Sequence, residues 1–223
     1  MISLNPIPSN QPLNPGDNLI EHLAVSARPA IIQYSKTDRV ELSGRVTINW
    51  ATKMTHLMDS YGTVASDTLF IDLPVTWRSL ALVLGAAWCD LEFVAEATQA
   101  TAILTDRPDR YLAQPAEIFV THRTDVDAAL VDVDDEVLSH ADQPLLAVPD
   151  IIGNARTETP TGRYANYYDA GAVIYNDQLR LDTATWWTVI DTWRRTYPVI
   201  LVDSAAATGL QRIIQDERLG AQQ

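Results

Sequence analysis

The segment around Pro74 constrains the fold most, because it joins an apolar strand to an apolar helix. Residues 68–73 are apolar at nearly every position, and Pro74 stops the run. The helix that we predict over residues 76–88 is apolar almost all round. Such a strand must be covered on both faces, and such a helix has no side that it can turn to water. The segment therefore predicts a helix buried deep in the protein.

Strands and helices alternate on both sides of this segment. Ser43 is predicted to cap a helix with one apolar face, which ends at Gly62. Further strands are predicted at residues 30–34, 39–42, 91–94, 101–105 and 117–120. Helices that cross over between strands favour parallel pairing. We therefore expect an α/β fold, with a mixed, partly parallel sheet and helices on both faces.

The last third of the chain is predicted to contain a hairpin and further strand and helix elements. The hairpin joins strands at residues 172–175 and 178–181 through a two-residue turn. Asp182 is predicted to cap a helix that carries three core side chains, namely Trp186, Ile190 and Trp193. The remaining predicted elements are a polar loop at residues 153–168, a strand at 198–203 and a helix at 206–219.

The composition indicates one large domain and limits its partners. The 223 residues, 47% of them hydrophobic, are enough to fill a real core. Residues 1–16 include four prolines and predict an extended Pro-rich arm, which leaves residues 17–223 as a single α/β domain. The chain has 29 acidic and 16 basic residues and a net charge of −13, which argues against nucleic acid and membrane surfaces as partners.

The cysteine content and the hydropathy pattern indicate a cellular compartment. A single cysteine, Cys89, excludes an intrachain disulfide framework and a zinc site built from several thiolates. At the end of the apolar helix, Cys89 is predicted to behave as a small hydrophobic residue. The sequence shows neither an apolar run that could span a bilayer nor a secretory signal. We therefore expect a cytoplasmic protein.

Common catalytic motifs are absent from the sequence. It contains no Gly-x-Ser-x-Gly elbow, no Gly-rich dinucleotide or P-loop pattern and no His-Glu-x-x-His pair. Asp132 and Asp134 form an Asp-x-Asp pattern that either shares a divalent cation or belongs to a solvated acidic stretch. The four histidines are scattered along the sequence, at His22, His56, His122 and His140. We therefore predict isolated surface or hydrogen-bonded histidines rather than metal ligands. We predict no catalytic residue, no cofactor and no metal site.

Several stretches, read in order, resemble the opening of the adenylate-forming (AMP-binding) enzymes. They include an Arg-Pro-Ala strand at residues 28–32, a Leu-Ser cap before a helix at residues 39–43, and a turn and strand that end in Pro at residues 62–74. Residues 80–88 match the buried helix of that family, and residues 101–106 match its strand that ends in Thr-Asp. The resemblance implies a fold similar to the N-terminal subdomain of acetyl-CoA synthetase-like enzymes.

The sequence also departs from this family's pattern. Ser66 stands where a turn glycine is usual, and Cys89 and Asp90 replace Ala-Gly after the buried helix. Adenylate-forming enzymes hold ATP with a Ser/Thr- and Gly-rich loop that ends in Pro-Lys, and they use a lysine from a small C-terminal domain. The lysines here are limited to Lys36 and Lys53, in the first quarter of the sequence.

The stretch nearest to the family's ATP loop lies around residue 160. Its hydroxyls, single glycine and single cation indicate a degenerate phosphate loop, formed by Thr159, Thr161, Gly162 and Arg163. Glu158 beside it would repel phosphate, and one glycine gives little backbone access to an anion. An ordinary polar loop is the alternative.

The whole chain resembles a family of short actinobacterial proteins that correspond to an N-terminal portion of these enzymes. The resemblance implies a protein without adenylating activity, which acts as a binding or regulatory module with an acyl, nucleotide or coenzyme A pocket, or docks on a complete enzyme. One alternative is a structural or interaction subunit without a small-molecule ligand. Another is a metal-dependent enzyme that uses Asp132 and Asp134. Surfaces that the missing half covers in the parent enzymes predict an exposed apolar patch and a homodimer.

Overall fold

The computed structural model describes residues 12–14, 17–143, 165–176 and 179–220. Within these ranges the strands are β1 (Pro29–Tyr34), β2 (Arg39–Ser43), β3 (Thr68–Asp72), β4 (Glu92–Phe93), β5 (Ala102–Thr105), β6 (Glu117–Val120), β7 (Val131–Asp132), β8 (Ala165–Tyr168), β9 (Gly171–Tyr175) and β10 (Val199–Val202). The helices are α1 (Leu19–Val25), α2 (Gly44–Ser60), α3 (Trp77–Trp88), α4 (Val133–Glu136), α5 (Thr183–Arg194), α6 (Ser204–Ala207) and α7 (Leu210–Asp216).

The strands form two five-stranded sheets. The first, which we call the mixed sheet, has the order β2-β1-β10-β9-β8, with antiparallel pairs at both edges and parallel pairs in the middle. The second, which we call the parallel sheet, has the order β4-β3-β5-β6-β7, and all its pairs are parallel. The predicted α/β class with mixed, partly parallel pairing is confirmed, although its strands divide between two sheets.

Helices α2 and α3 pack closely against each other and join the two sheets into one core. Every residue of the 79–88 segment of α3 is buried, as its apolar sequence predicts. Apolar side chains of both helices belong to one cluster with Ile31 and Val199 of the mixed sheet and Leu69 and Phe119 of the parallel sheet. Helix α3, which is apolar on all sides, is therefore buried by α2 and by both sheets.

Several predicted helix boundaries are confirmed by their capping bonds. The Ser43 hydroxyl accepts a hydrogen bond from the Val46 amide, at 3.3 Å, and begins α2. The Asp182 carboxylate accepts one from the Thr185 amide, at 2.7 Å, and begins α5. Past the end of α2, Gly62 has a φ of +78°, a conformation that favours glycine. The predicted core residues of α5 are buried, namely Trp186, Ile190 and Trp193.

The predicted hairpin after residue 172 is wrong. Strand β9 pairs instead with β8, which precedes it, and this pairing also corrects the predicted loop at residues 165–168. Because β10 occupies its other side, β9 has no free edge for a returning strand. The chain crosses to the parallel sheet, where the Leu181 amide donates to the Leu73 carbonyl at 2.8 Å and the Val75 amide donates to the Leu179 carbonyl at 3.3 Å.

The predicted last helix is divided in two. Asp203 caps α6 through the Ala206 amide, at 2.6 Å, and the chain turns at Gly209 before α7 begins. Residues 125–136, which include six acidic residues, contain two short regular elements, β7 and α4. In the part of the chain that the structure describes, no helix has the length and apolarity needed to cross a membrane.

The contact between α2 and α3 leaves no room for a side chain at Gly85. A Cβ there would lie 2.3 Å from the Ala51 carbonyl oxygen and 2.7 Å from the Met54 Cβ. We expect Gly85→Ala to lower the free energy of unfolding by about 2 kcal/mol or more, because overpacking outweighs alanine's higher helix propensity. Urea unfolding measures this.

Gly209→Ala is the matched control, because its Cβ would meet only the Ala206 carbonyl oxygen at an ordinary 3.4 Å. We expect its free energy of unfolding to change by less than about 1 kcal/mol. Equal losses of unfolding free energy in Gly85→Ala and Gly209→Ala would show that the space between α2 and α3 can accommodate a side chain at Gly85.

Candidate functional site

Polar side chains gather where the strands of the parallel sheet end. Asp72, Thr105, Val120 and Asp132 are partners in register, so the carboxyl ends of four strands lie at one edge. Ligands of open α/β sheets bind outside this edge. We call the following residues the carboxyl-edge cluster: Asp72, Thr76, Arg78, Ser79, Asp106, Tyr111, Thr121, His122, Asp134 and Arg180.

Arg180 joins two of the strand ends. Its Nε donates to Asp72 Oδ1 at 2.6 Å, and its Nη2 and Nη1 donate to the two carboxylate oxygens of Asp106 at 2.5 and 3.2 Å. Nη2 also donates to the Asp72 carbonyl oxygen. Tyr111 completes the group, since its hydroxyl donates to Asp72 Oδ2 at 2.8 Å. All of the guanidinium's nitrogens are thus engaged by these two aspartates.

The ionisation of this group follows from its burial and its charges. Burial acts to raise the pKa of Asp106, but hydrogen bonding and the positive charge of Arg180, with the charge of Arg107, outweigh it and hold the pKa below its usual value. Burial raises the pKa of Tyr111 to about 12, and the hydrogen bond and charge of Asp72 act in the same direction. Asp106 and Arg180 therefore form an ion pair at neutral pH.

The sequence suggested Asp132 and Asp134 as a cation site. In the structure, both carboxylates accept hydrogen bonds from protein groups. Asp134 Oδ1 accepts from the Thr121 hydroxyl at 2.7 Å and from Arg78 Nη1 at 3.0 Å. Asp134 Oδ2 accepts from the His122 amide at 2.7 Å. Asp132 caps α4 through the amide of Asp134, at 3.1 Å. Among residues 12–14, 17–143, 165–176 and 179–220, no group of three or more His, Cys, Asp or Glu residues has metal-binding geometry.

His122 is the site residue that sequence reasoning missed. It is the second residue after β6 and has a φ of +62°, which is uncommon for a residue other than glycine. Its ring Nε2 lies 3.1 Å from the Ser79 hydroxyl and 3.4 Å from the Thr76 hydroxyl, at the first turn of α3. Burial lowers the pKa of His122, so the ring is neutral at neutral pH. The sequence signal that could have found it was its place two residues after the end of a predicted strand.

This arrangement offers neutral hydrogen-bonding groups rather than a nucleophile. Ser79 is fully buried, so its hydroxyl has no access to a substrate. Arg78 is engaged by Asp134, and its guanidinium also lies 5.6 Å from the ring centre of Trp50 and 5.3 Å from that of Trp77. The cluster can orient a polar, uncharged group through His122 and the neighbouring Thr76 hydroxyl.

Other residues singled out in the sequence have structural roles or lie elsewhere. Lys53 pairs with Asp142 at 2.7 Å and donates to the carbonyl of His140. Cys89 is buried, as predicted, and burial raises the pKa of its thiol to about 12. The His56 and His140 rings stack, with centroids 6.3 Å apart. The predicted phosphate-loop residues lie outside the described part of the chain: Thr159, Thr161, Gly162 and Arg163.

Comparison with known proteins shows a likeness at the level of the fold. No protein-family model matches the chain, and no curated protein matches it in sequence. Among solved structures, the chain is similar to the acyl-CoA synthetase of Brucella canis, with a TM-score of 0.64 and 13% identity over 90% of this chain and 46% of that one. The chain has an acyl-CoA synthetase-like N-terminal fold.

Two further structures support the same conclusion. The N-terminal domain of FACL13 from Mycobacterium tuberculosis matches with a TM-score of 0.58 and 15% identity, over 91% of this chain and 61% of that domain. The amide bond synthetase McbA from Marinactinospora thermotolerans matches with a TM-score of 0.59 and 12% identity, over 90% of this chain and 46% of its own. The chain thus spans about half the length of the full enzymes that it matches.

Removing the Arg180 guanidinium tests its structural role. We expect Arg180→Gln to lower the free energy of unfolding by about 2 to 3 kcal/mol, because it leaves two largely buried carboxylates side by side. Urea unfolding at neutral pH measures this loss. Arg212→Gln is the control, since the Arg212 side chain is 86% exposed and pairs with the nearby Asp216. A loss no larger than that of Arg212→Gln would contradict the role of Arg180.

The same ion pairs predict a dependence on pH. The pKa of Asp106 is lower in the folded protein than in the unfolded chain, so its stabilisation is complete above the unfolded value, near 3.9, and is lost as the pH falls through the folded value. We therefore expect the difference in unfolding free energy between the wild type and Arg180→Gln to shrink as the pH falls from about 6 to about 3. Urea titrations at both pH values measure it, and a constant difference would contradict the assignment.

Proposed function

We propose that this chain is a non-catalytic binding or regulatory module built on the N-terminal fold of adenylate-forming enzymes. In this proposal, the carboxyl-edge cluster holds the adenine, acyl or amide portion of a nucleotide, acyl or coenzyme A ligand. Docking of the module on a complete enzyme belongs to the same proposal. The module does not form acyl adenylates itself.

The observation that carries this proposal is the neutralisation of the cations in the carboxyl-edge cluster. Arg180 is shared by Asp72 and Asp106, and Arg78 is paired with Asp134. Transfer of an adenylyl group needs positive charge placed on phosphate oxygens in the transition state. A polyphosphate at this edge would instead meet three carboxylates, and the guanidinium groups beside them, Arg107 included, are already paired with those carboxylates, which disfavours its binding there.

The neutral groups of the cluster support binding of another kind. His122, Thr76 and Ser79 form a hydrogen-bonded set at the first turn of α3, beside the carboxyl ends of the parallel strands. Imidazole and hydroxyl groups can both donate and accept hydrogen bonds. His122 and Thr76 therefore suit an adenine edge or an amide, which present donors and acceptors without charge, and the buried Ser79 hydroxyl positions the imidazole.

Several further features belong to this proposal as expectations. They include one α/β domain over residues 17–223 behind an extended arm, a cytoplasmic location, and kinship with short actinobacterial proteins. A degenerate phosphate loop at residues 159–163 is also retained. None of them is needed for the experiments below.

A thermal-shift panel tests ligand binding. The purified protein is screened against ATP with magnesium, AMP, coenzyme A, acyl-coenzyme A esters and free fatty acids. A ligand at a hundred times its dissociation constant stabilises the folded state by about 2.7 kcal/mol, so we expect at least one to raise the melting midpoint by about 5 to 10 °C. No shift with any of them would contradict a small-molecule pocket for these ligands.

Two variants place the ligand in the molecule. We expect His122→Asn to abolish the shift, because asparagine tolerates a positive φ but lacks the imidazole. His56→Asn, on the surface of α2, is the matched control and should keep the shift. A shift that survives His122→Asn would place the ligand away from the carboxyl-edge cluster.

An ATP–pyrophosphate exchange assay tests the absence of adenylation. With acetate and fatty acids as acceptors, we expect exchange no higher than in a protein-free control, because the cluster lacks uncompensated positive charge. Exchange that rises with protein concentration would overturn the non-catalytic proposal and leave the binding result untouched.

A structural or interaction subunit is the second candidate, and exposed apolar side chains favour it. The exposed fraction is 65% for Val25, 61% for Leu112 and 59% for Leu138. Association that covers such side chains stabilises a complex. We expect light scattering coupled to size exclusion to give the mass of a homodimer at micromolar concentration, and a monomer mass would contradict self-association.

A further inference from the structure

Strand β2 is the longest open edge among the strands that the structure describes. It is an outer strand of the mixed sheet and has five residues, against two in β4, two in β7 and four in β8. Its first three residues are exposed, and we call Arg39, Val40 and Glu41 the β2 edge. An open edge strand offers unpaired backbone groups to another strand, and very short edge strands limit such pairing. The β2 edge is therefore where a further strand can extend a sheet.

The hydrogen bonds of the β1–β2 hairpin determine which backbone groups point outward. The Ser35 amide donates to the Asp38 carbonyl at 2.9 Å and closes the turn. From that pair, bonded and unbonded residue pairs alternate along an antiparallel ladder. By this alternation Val40 bonds to β1, whereas the N–H and C=O groups of Arg39 and Glu41 point away from β1. Two residues of opposite charge thus carry the outward backbone groups of this edge.

The order of charges in the β2 edge suits a second copy of the same strand. In an antiparallel pair of two β2 strands with Val40 at the two-fold axis, Arg39 of each copy lies opposite Glu41 of the other. The outward backbone groups then meet, and each Arg39–Glu41 pair can exchange both of its hydrogen bonds. The neighbouring registers that also match these groups place Arg39 opposite Arg39 or Glu41 opposite Glu41, which is unfavourable. Charge therefore selects one register.

The ion pairs already present are compatible with this arrangement. Arg39 Nη1 lies 2.7 Å from Glu41 Oε2, and Arg39 Nη2 lies 2.8 Å from Glu217 Oε1. In the pair of copies, the Arg39 and Glu41 side chains stand at alternating corners of a square, so each guanidinium keeps these partners and gains a carboxylate from the other copy. Residues 29–43 include two basic and two acidic residues, so the hairpin is neutral in a chain of net charge −13. Repulsion between copies is therefore weak here.

Exposed apolar side chains flank the same edge. Val40 shares its face of the sheet with Leu42, which packs in the core cluster that contains residues of α1 and α2. A backbone hydrogen bond of 3.0 Å joins the segment after α1 to the first turn of α2, and the nearby side chains of Val25 and Val46 are exposed. In the antiparallel pair, the hairpin turn of the second copy lies toward these valines. Its approach would remove apolar surface from water.

We propose that two copies of this chain associate through the β2 edge, in an antiparallel pair about Val40, and so join their mixed sheets into one continuous sheet. The proposal rests on the second candidate function, self-association, and names the surface that self-association uses. The carboxyl-edge cluster lies on the parallel sheet, so the proposal does not depend on ligand binding there.

Charge reversal tests the register in the full chain. Sedimentation velocity over a micromolar concentration series measures the dissociation constant of the dimer. Arg39→Glu and Glu41→Arg each place like charges opposite each other, so we expect each variant alone to raise this constant about tenfold or more. An equimolar mixture of the two variants again places opposite charges at both pairs. We therefore expect the mixture to form dimers as the wild type does.

Matched reversals elsewhere control for net charge. Arg123→Glu and Asp109→Arg change the net charge by the same amounts, in connections that leave the parallel sheet, and should leave the dissociation constant unchanged. Arg39→Glu also loses the contact with Glu217. Recovery of dimers in the mixture shows that this variant still folds.

Glu41→Pro tests the backbone pairing. Proline removes an outward N–H and no hydrogen bond of the hairpin, so we expect the melting midpoint of the monomer to stay near that of the wild type. Glu41→Gln is the matched control, because it removes the charge and keeps the N–H. We expect Glu41→Pro to abolish the dimer and Glu41→Gln to raise the dissociation constant only about threefold. Equal effects would contradict pairing through the backbone.

The results that would overturn the proposal are distinguishable from one another. A monomeric wild type would contradict self-association itself and leave the β2 edge to a strand of another protein. A dimer that both charge reversals leave unchanged would keep self-association and place it on another surface. Single variants that are monomeric, with a mixture that is also monomeric, would contradict the register about Val40.

Discussion

The close contact between α2 and α3 is the interaction on which the rest of the structure depends. Gly85 lies so near the Ala51 carbonyl that no side chain fits between the helices, and the Thr55 hydroxyl donates to carbonyls of both helices at 3.0 Å. Because α3 is apolar on every side, each of its remaining faces must also be covered. The two sheets provide this cover, and their separation into two layers follows from the burial of one helix.

The layered core determines where chemistry can occur. Loops that leave the parallel sheet at its carboxyl edge bring charged and polar groups from distant parts of the sequence to one place. Arg180 is 108 residues from Asp72 and 74 residues from Asp106, yet it holds both strand ends and ties the crossing segment to them. The same ion pairs that stabilise this edge also remove its positive charge. The stability of this edge and the neutralisation of its charge therefore have one physical cause at Arg180.

Local signals in the sequence predicted most elements but not how they pair. Ser43, Gly62 and Asp182 marked helix boundaries, because capping depends on a few neighbouring residues. The strand predicted at residues 178–181 was wrong, since its alternating pattern could not show that β8 and β10 already flank β9. The single helix predicted at residues 206–219 was wrong as well, because Gly209 interrupts a pattern that is otherwise helical.

The sequence by itself determined the α/β class, the buried helix and the resemblance to the N-terminal part of adenylate-forming enzymes, because apolar periodicity and capping are local properties. Only the tertiary structure decided that His122 faces Thr76 and Ser79 and that Asp134 contacts Thr121 and Arg78. These relations join residues that are far apart in the chain. The physical reason is that hydrogen bonds and ion pairs depend on distances in space, which packing of the two sheets sets and sequence spacing does not.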